Sequence, residues 1–299
     1  MSAVQTTRAP EPVLSLAGKG ESVGDRVFRY LLLTGLVVAI VFLVTLITFV
    51  ILRGLPRLDS RIWQNMPTLR KPEMAGAQSA IMGTIWVVGT TALVSIPLGV
   101  AAAVYLEEFA NPKRRVNRLI ELNIQNLAAV PSIVYGILGL GIFVRGMGLG
   151  FTVLAAALTL TLLILPTVII ATREALRAVP QSIRHGSLAL GATKLQTIMR
   201  QVLPAAIPGI ATGQILALSR AIGEAAPLLL LGGLAFVTFN PDGLLSDYTV
   251  LPIQIYNWIS NPKEEFRILA SATIVVLLVI LLAMNAFAIY LRNRFQKRI

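Results

Sequence analysis

The sequence predicts an all-α polytopic membrane protein with six transmembrane helices. Of the 299 residues, 56% are hydrophobic and only 13% are charged, and the mean hydropathy is +0.76. Soluble globular domains carry about 25% charged residues. Six apolar runs are each long enough to cross ~30 Å of hydrocarbon, which takes about 20 helical residues. An even number of crossings places both termini on the same side of the membrane.

The six predicted helices follow one another along the chain, separated by loops that hold most of the charged residues. Residues 1–24 are rich in proline, glycine and polar residues, so we expect a disordered tail. Residues 25–299 are expected to form a single transmembrane domain. The predicted spans are 30–52, 80–106, 119–144, 149–172, 209–236 and 268–291, and a long polar loop occupies 173–208.

The distribution of basic residues sets the orientation in the membrane, because cytoplasmic loops carry an excess of Lys and Arg. Seventeen basic residues lie in the two termini and in the loops after the second and fourth spans, against eight in the opposite loops. Both termini are therefore predicted to be cytoplasmic. The outer loop 53–71 holds five of those eight. We interpret it as a solvated loop, with an anion-attracting or docking surface as the alternative.

The composition argues against several kinds of chemistry. The chain has no cysteine and a single histidine, His185, so thiol catalysis, disulfides and a zinc centre are not expected. It has no G-x-x-x-x-G-K-[ST] sequence, so we expect no ATP bound through a P-loop. The net charge of +12 arises mainly in loops that flank the spans, so we predict no nucleic acid as a partner. We predict no metal, no cofactor bound by this chain and no catalytic residues.

Proline and glycine mark irregular positions within the spans. Proline removes a backbone donor and collides with the preceding turn, so helix bends are predicted at Pro97, Pro131 and Pro227. Small residues let membrane helices approach closely. Close helix contacts are therefore predicted at Gly83, Gly89 and Gly99 in the second span and at Gly136, Gly139 and Gly141 in the third.

The fifth predicted span contains two ionised residues, Arg220 and Glu224. Arg220 lies near its middle, and Glu224 follows one turn later on the same helix face, where the two can form an ion pair. A charge at the bilayer centre costs about 2.5–3.5 kcal/mol on insertion scales, and such charges commonly mark transport paths. The sequence therefore predicts a substrate path at these two residues, with a purely structural helix staple as the alternative.

The loop 173–208 has spaced apolar residues and a central glycine, the pattern of a segment that binds a partner. Gly191 separates two helical runs and predicts a turn with positive φ. A short helix on the membrane face can enter a groove on a soluble partner. The residues predicted to make this contact are His185, Gly186, Ser187, Leu190, Gly191, Ala192 and Lys194.

Four stretches resemble those of ABC-importer permeases. The loop around Gly191, with Leu203-Pro204 after it, resembles the EAA coupling loop of this family, although His185, Gly186 and Ser187 replace the usual Glu-Ala-Ala. The stretches 96–110 and 126–140 are similar to those of phosphate-transporter permeases. The stretch from Ser219 to Leu228, Ser-Arg-Ala-Ile-Gly-Glu-Ala-Ala-Pro-Leu, resembles the PstA-type permeases, with Ala225 replacing the usual threonine.

This resemblance implies the type I ABC-importer permease fold and the role of a permease subunit that moves inorganic phosphate across the bacterial cytoplasmic membrane. Its implied partners are a PstC-like second permease, a PstB-like ATPase dimer that holds ATP-Mg, a PstS-like extracytoplasmic phosphate-binding protein and membrane lipid. Arg220 would contact the anion, and Glu224 would partly neutralise it. The alternatives are a permease for sulfate, molybdate or a phosphonate, an ATPase-independent transporter, and a membrane scaffold without transport activity.

Overall fold

The computed structural model describes residues 23–111, 113–231 and 236–295, without the side chains of Leu291 and Phe295. The predicted tail 1–24 lies almost wholly outside the described residues. The chain divides into two compact units, Met1–Phe49 and Val50–Ile299. The described helices are α1 (Val23–Gly54), α2 (Arg61–Gln64), α3 (Gln78–Val104), α4 (Arg115–Ala128), α5 (Ser132–Gly139), α6 (Val153–Arg177), α7 (Gln181–Ala189), α8 (Lys194–Thr197), α9 (Leu203–Gly223), α10 (Ala226–Leu230), α11 (Leu251–Ile259) and α12 (Glu264–Phe295).

Three π-helical turns and two 3₁₀ turns extend or connect these helices. The π-helical turns are Tyr105–Phe109, Leu140–Gly146 and Ile198–Val202, and the 3₁₀ turns are Leu55–Arg57 and Pro72–Met74. Within the described ranges, five helical segments are long and apolar enough to cross a membrane, and a sixth is obtained if α4 and α5 count as one bent span. The predicted all-α membrane fold class is confirmed.

The third predicted span is not one helix. Residues 115–128 and 132–146 are bent by 105° at a short break, so the bend predicted at Pro131 is confirmed, and it divides the predicted span 119–144 into two helices. Pro131 explains the break, because the residue before a proline avoids helical geometry. The Tyr135 hydroxyl donates to the Leu127 carbonyl at 2.8 Å and so supplies a donor at the end of α4. Pro97, by contrast, lies inside α3 without interrupting it.

The fifth predicted span begins earlier and ends earlier than predicted. Helix α9 starts at Leu203 and stops at Gly223, and Glu224 is extended with φ −80° and ψ 111°. Pro204 and Pro227 lie in the first turns of α9 and α10, where a missing backbone N–H costs nothing. Pro227 starts a new helix after the break at Glu224 and Ala225, so the predicted span 209–236 is interrupted close to the proline at which a bend was predicted. Pro204 starts no separate helix, because the chain is helical from Lys194 to Gly223. Residues 232–235 of that prediction lie outside the described residues.

Because α6 continues to Arg177 and α9 starts at Leu203, the segment between them is 178–202, here called the α6–α9 loop. The predicted loop 173–208 was therefore too long at both ends. At the second boundary, the apolar residues 203–208 already belong to α9. At the first boundary, Arg173 and Arg177 are polar residues in the last turns of α6. Hydropathy alone assigns such residues to a loop.

Helix α6 lies at the centre of the second unit, packed against α3 and α9 through small residues. A Cβ atom built on Gly99 would lie 2.2 Å from Val168 Cγ1, and one on Gly139 would lie 2.1 Å from Thr159 Oγ1. A Cβ on Gly83 would lie 2.0 Å from the Thr249 carbonyl oxygen. The predicted close contacts are confirmed at these glycines and at Gly136. They are wrong at Gly89 and Gly141, where no described atom lies within 4 Å of the Cβ position.

The loop 53–71, predicted to lie outside the cytoplasm, is structured by its own arginines. Arg57 donates to the backbone carbonyls of Pro72, Glu73 and Ala75 at 2.8–3.0 Å. Arg53 pairs with Glu264, and Arg61 lies 3.7 Å from Asp59. The interpretation as a merely solvated loop is wrong for these residues. Much of its basic charge is used to fold the loop against α11 and α12, where Ala75, Ala77 and Ile62 are fully buried.

Candidate transport site and docking loop

The candidate transport site is the break between α9 and α10. Arg220 lies in the last turn of α9, and Glu224 caps that helix with an extended backbone. The last carbonyls of a helix have no intrahelical donor and carry partial negative charge, which a nearby cation offsets. Arg220 is therefore placed where the backbone itself favours a positive charge.

The depth of this break follows from the contacts between α9 and α6. A Cβ on Gly209 would meet Ala175, and one on Gly213 would meet Ala171, so the two helices run antiparallel in a fixed register. Extended by two turns, this register places Arg220 about level with Ile164, near the middle of α6 (Val153–Arg177). Helix α9 thus ends at mid-membrane depth. Transporter sites lie at such discontinuous helices near the midplane.

The two ionised side chains form one ion pair and leave part of the arginine open. Arg220 Nε lies 3.3 Å from Glu224 Oε1. The Arg220 side chain is 52% exposed, whereas that of Glu224 is 17% exposed. Within the described part of the chain, no hydrogen bond is formed by the two terminal nitrogens of Arg220. A guanidinium with two free donors can bind two oxygens of one anion.

Helix α5 supports the break from the side. A Cβ on Gly136 would lie 2.7 Å from Pro227 Cα, so the backbones of α5 and α10 touch. Tyr135, next to this contact, is 4% exposed. On the other side, Ser219 bonds to Asn285 of α12 at 2.9 Å. The structure therefore brings two stretches, 126–140 and 219–228, into one site; sequence analysis singled out both without joining them.

The α6–α9 loop forms a helical hairpin. Gly191 joins α7 to α8 with φ +84°, which confirms the predicted positive-φ turn. Thr193 and Gln196 form a capping box at the start of α8, and the Ser187 and Thr197 hydroxyls are 2.9 Å apart across the hairpin. The capping box fixes the start of α8, and the bond between Ser187 and Thr197 joins α7 to α8.

The hairpin presents an open surface. Leu190 at its tip is 91% exposed, the largest value among the exposed large apolar side chains of the described residues. Beside it lies a groove of about 510 Å³. The groove is lined by Ser182, Ile183, Gly186, Ser187, Leu190, Ala192, Gln196, Arg200 and Gln201. His185 is exposed next to this groove. Lys194 instead turns to its own chain, with Nζ 5.3 Å from the centre of the Phe109 ring.

Sequence analysis missed a cluster of ion pairs behind this hairpin. Glu107 and Glu108 lie close in sequence to the basic residues 113–118, which favours a solvated ion-pair belt between these two groups, and that interpretation is wrong. Glu107 binds Arg173 and Arg177, and Glu108 binds Arg184. The partners are 66 to 76 positions apart, so no local pattern reveals the pairing. The sequence signal for this pairing is weak. It consists of an acidic pair at the end of α3 and three arginines, two in the last turns of α6 and one in α7.

An all-helical membrane protein with a charged helix break at mid-membrane and an exposed helical hairpin has the architecture of a membrane permease. The family model described as "Binding-protein-dependent transport system inner membrane component" matches residues 95–299. The chain belongs to this family. Its role is therefore that of a transport component.

Its relatives include named phosphate permeases. Phosphate transport system permease protein PstA 1 of Mycobacterium tuberculosis (strain CDC 1551 / Oshkosh) is 34% identical over 262 residues, covering 87% of this chain and 85% of the relative. The probable ABC transporter permease protein YqgI of Bacillus subtilis (strain 168) is 32% identical over 281 residues, covering 89% and 94%. The probable phosphate transport system permease protein PstA of Methanocaldococcus jannaschii is 31% identical over 260 residues, covering 87% and 90%.

Solved structures share the fold at lower identity. A chain of the MetNI methionine ABC transporter, solved in inward-facing conformations, superposes with a TM-score of 0.59 at 18% identity, covering 77% of this chain and 100% of that chain. A chain of a bacterial alginate ABC transporter, solved with an alginate-bound periplasmic protein, gives a TM-score of 0.60 at 15% identity, covering 93% and 99%. The type I ABC-importer permease fold is thereby confirmed.

Proposed function

We propose that this chain is the transmembrane permease subunit of an ATP-driven importer that moves inorganic phosphate across the bacterial cytoplasmic membrane. The observation that carries the proposal is the Arg220–Glu224 pair at the mid-membrane end of α9, with two guanidinium nitrogens open to an anion. The relatives named as phosphate permeases support phosphate as the substrate.

Arg220 is the residue proposed to contact phosphate. Its guanidinium stays charged at all physiological pH values and matches a pair of oxyanion oxygens. Glu224 and the terminal carbonyls of α9 lie close to the same point and weaken the attraction. A transport site needs weak binding as much as recognition, because an ion that binds too tightly does not leave. The Arg220–Glu224 pair therefore favours release of the bound phosphate over its retention at the site.

The α6–α9 loop is proposed to bind a separate ATPase dimer that holds ATP-Mg. A leucine exposed to 91% beside an open groove is a typical anchor for a helix-in-groove contact. This assignment puts the loop and both chain termini in the cytoplasm, in agreement with the excess of basic residues there. A PstC-like second permease and a PstS-like extracytoplasmic phosphate-binding protein would complete the importer.

The direct test is phosphate uptake by the reconstituted importer carrying Arg220→Ala or Arg220→Lys. A charge-assisted hydrogen bond contributes about 1.5–3 kcal/mol, so Arg220→Ala should lower uptake by about tenfold or more. Arg220→Lys keeps the charge but loses the fork and should fall between. Arg118→Ala, which changes an exposed arginine of α4, is the control and should transport normally. Unchanged uptake in both Arg220 variants would overturn the role of this residue.

Two further measurements separate the competing assignments. Uptake of labelled phosphate in the presence of sulfate, molybdate or a phosphonate identifies the preferred anion; stronger competition by one of these would reassign the substrate. Purification in mild detergent, followed by mass identification of the co-purifying chains, tests the partners. We expect an ATPase and a second permease, and a chain that transports alone would contradict the importer assembly.

A further inference from the structure

The π-helical turn at the end of α3 contacts both helices of the α6–α9 loop. Within this turn, Glu108 binds Arg184 of α7: Arg184 Nη2 and Nε lie 2.8 and 3.3 Å from Glu108 Oε1. The side chains are 10% and 13% exposed, so solvent screens this pair weakly. Phe109, the next residue, lies under the Lys194 ammonium of α8. One short turn therefore joins α3 to both helices of the hairpin.

Arg184 is held rigidly from a second side. Its Nη1 donates to the Val179 carbonyl at 2.7 Å, and its Nη2 donates to the Leu176 carbonyl at 2.8 Å. The guanidinium thus bridges the end of α6, the start of α7 and the end of α3. A planar fork with several fixed partners loses little freedom per bond, and it transmits displacement better than a flexible ammonium.

Glu107 makes the neighbouring link. Its two carboxylate oxygens accept from Arg173 Nε at 3.1 Å and Arg177 Nε at 2.8 Å. Arg173 in turn binds Glu121 of α4 at 2.9 Å. Arg173 thereby joins the end of α6 both to the end of α3, through Glu107, and to the middle of α4, through Glu121. Glu107 fixes the end of α3 to α6, while Glu108 fixes it to the hairpin.

We propose that the Glu108–Arg184 pair is the mechanical link through which movement of the α6–α9 loop displaces α3 during the transport cycle. The proposal rests on the proposed function, in which an ATPase moves that loop. Both residues are positioning residues: neither is placed at the transport site. The alternative is that the pair only stabilises the fold. The two roles differ in whether breaking the pair uncouples ATP hydrolysis from phosphate uptake.

The experiment compares ATP hydrolysis and phosphate uptake in the reconstituted importer carrying Glu108→Gln. Glutamine keeps the shape of the side chain but removes its charge. We expect ATP hydrolysis within about twofold of wild type and uptake lowered about tenfold, so that more ATP is consumed per phosphate. Glu174→Gln is the matched control, because Glu174 is 65% exposed and, among the described residues, its ion pair lies within α6, with Arg177. Its ratio of ATP to phosphate should equal that of wild type.

A second measurement reports the link without relying on transport. The chain has no cysteine, so Leu98→Cys on α3 and Leu188→Cys on α7, both at exposed positions, give one specific pair of spin labels. The distance between them should stay narrow and unchanged between nucleotide-free and nucleotide-trapped importer. It should broaden in Glu108→Gln. If Glu108→Gln does not assemble, Arg184→Lys replaces it, because lysine keeps the charge but cannot hold all three partners.

The possible outcomes are distinct. A normal ratio of ATP to phosphate in Glu108→Gln, or a parallel fall of both activities together with a lower melting temperature, would overturn the link and leave a structural staple. Failure of the wild-type importer to transport phosphate would instead overturn the proposed function. A raised ratio with a broadened label distance, in the variant but not in the Glu174→Gln control, supports the link.

Discussion

Gly136 of α5 packs directly on Pro227 of α10, so that a Cβ on the glycine would lie 2.7 Å from Pro227 Cα and 2.8 Å from its carbonyl oxygen. Each residue belongs to a short helix that follows a break in a membrane-spanning segment. The contact therefore joins the two irregular regions of the fold. It also fixes the position of α10 relative to Glu224, three residues before Pro227.

Gly136→Ala should destabilise this contact. The added methyl group meets backbone atoms, which cannot move aside as a side chain does, and overpacking of this kind costs about 1–3 kcal/mol. We expect a lower melting temperature by intrinsic tryptophan fluorescence in detergent. Gly141→Ala is the control, because no described atom lies within 4 Å of its Cβ position. Equal melting temperatures for the two variants would contradict the close contact.

A substitution of Gly191 tests the hairpin turn, because a side chain at this position would meet no neighbouring atom in the described residues. Gly191 has φ +84° and no atom within 4 Å of its Cβ position, so Gly191→Ala adds backbone strain alone, about 1–2 kcal/mol. Opening of the hairpin should become about 5- to 30-fold more frequent. Hydrogen exchange of the amides in 191–197 measures this. Gly186→Ala, within α7, should not accelerate exchange, and Gly191→Asn should lie between because asparagine tolerates positive φ.

Hydropathy located three spans well. The predicted ends of α3, α6 and α12 lie within five residues of the observed ones, because each is a single apolar helix. The third and fifth spans are each divided into two helices, next to Pro131 and Pro227, where bends were predicted. A hydropathy window measures the polarity of a segment and does not record the direction of its backbone. Pro131 and Pro227 were correctly identified as irregular, but whether a proline bends a helix or starts another depends on the tertiary contacts around it.

The sequence predicted the ion pair at the candidate transport site but not the ion pairs behind the α6–α9 loop. Arg220 and Glu224 are conspicuous in an apolar run, and their spacing of four residues predicts the observed pair. The ion pairs of Glu107 and Glu108 were missed, since their partners come from distant parts of the chain. The nearest basic residues in sequence were chosen instead. Proximity along the chain is a poor guide where several helices end at the same membrane face.

Thr172 and Gln214 provide a test of polar packing between α6 and α9. Gln214 Nε2 donates to Thr172 Oγ1 at 2.9 Å, and Gln214 is 4% exposed. Hydrogen bonds between membrane helices contribute about 0.6 kcal/mol on average and up to about 1.7. Thr172→Val and Gln214→Met should each destabilise, and the double variant should cost less than the sum of the two. Strict additivity of the unfolding free energies would show that the two side chains do not interact.

Arg57 tests whether the outer loop is folded by its arginines. The guanidinium donates to three backbone carbonyls, those of Pro72, Glu73 and Ala75. An ammonium is a point charge on a flexible stem and cannot reproduce this fork, so Arg57→Lys should loosen 72–77 although the charge is retained. We expect faster hydrogen exchange there, by about tenfold if roughly 1.4 kcal/mol is lost.

Arg70→Lys, on the same loop but exposed, is the control and should leave exchange unchanged. Faster exchange in both variants would mean that the loop responds to any substitution, and no change in either would mean that burial of Ala75 and Ala77 alone holds it. Selective loosening in Arg57→Lys would show that bond geometry, and not positive charge, is what this outer arginine contributes.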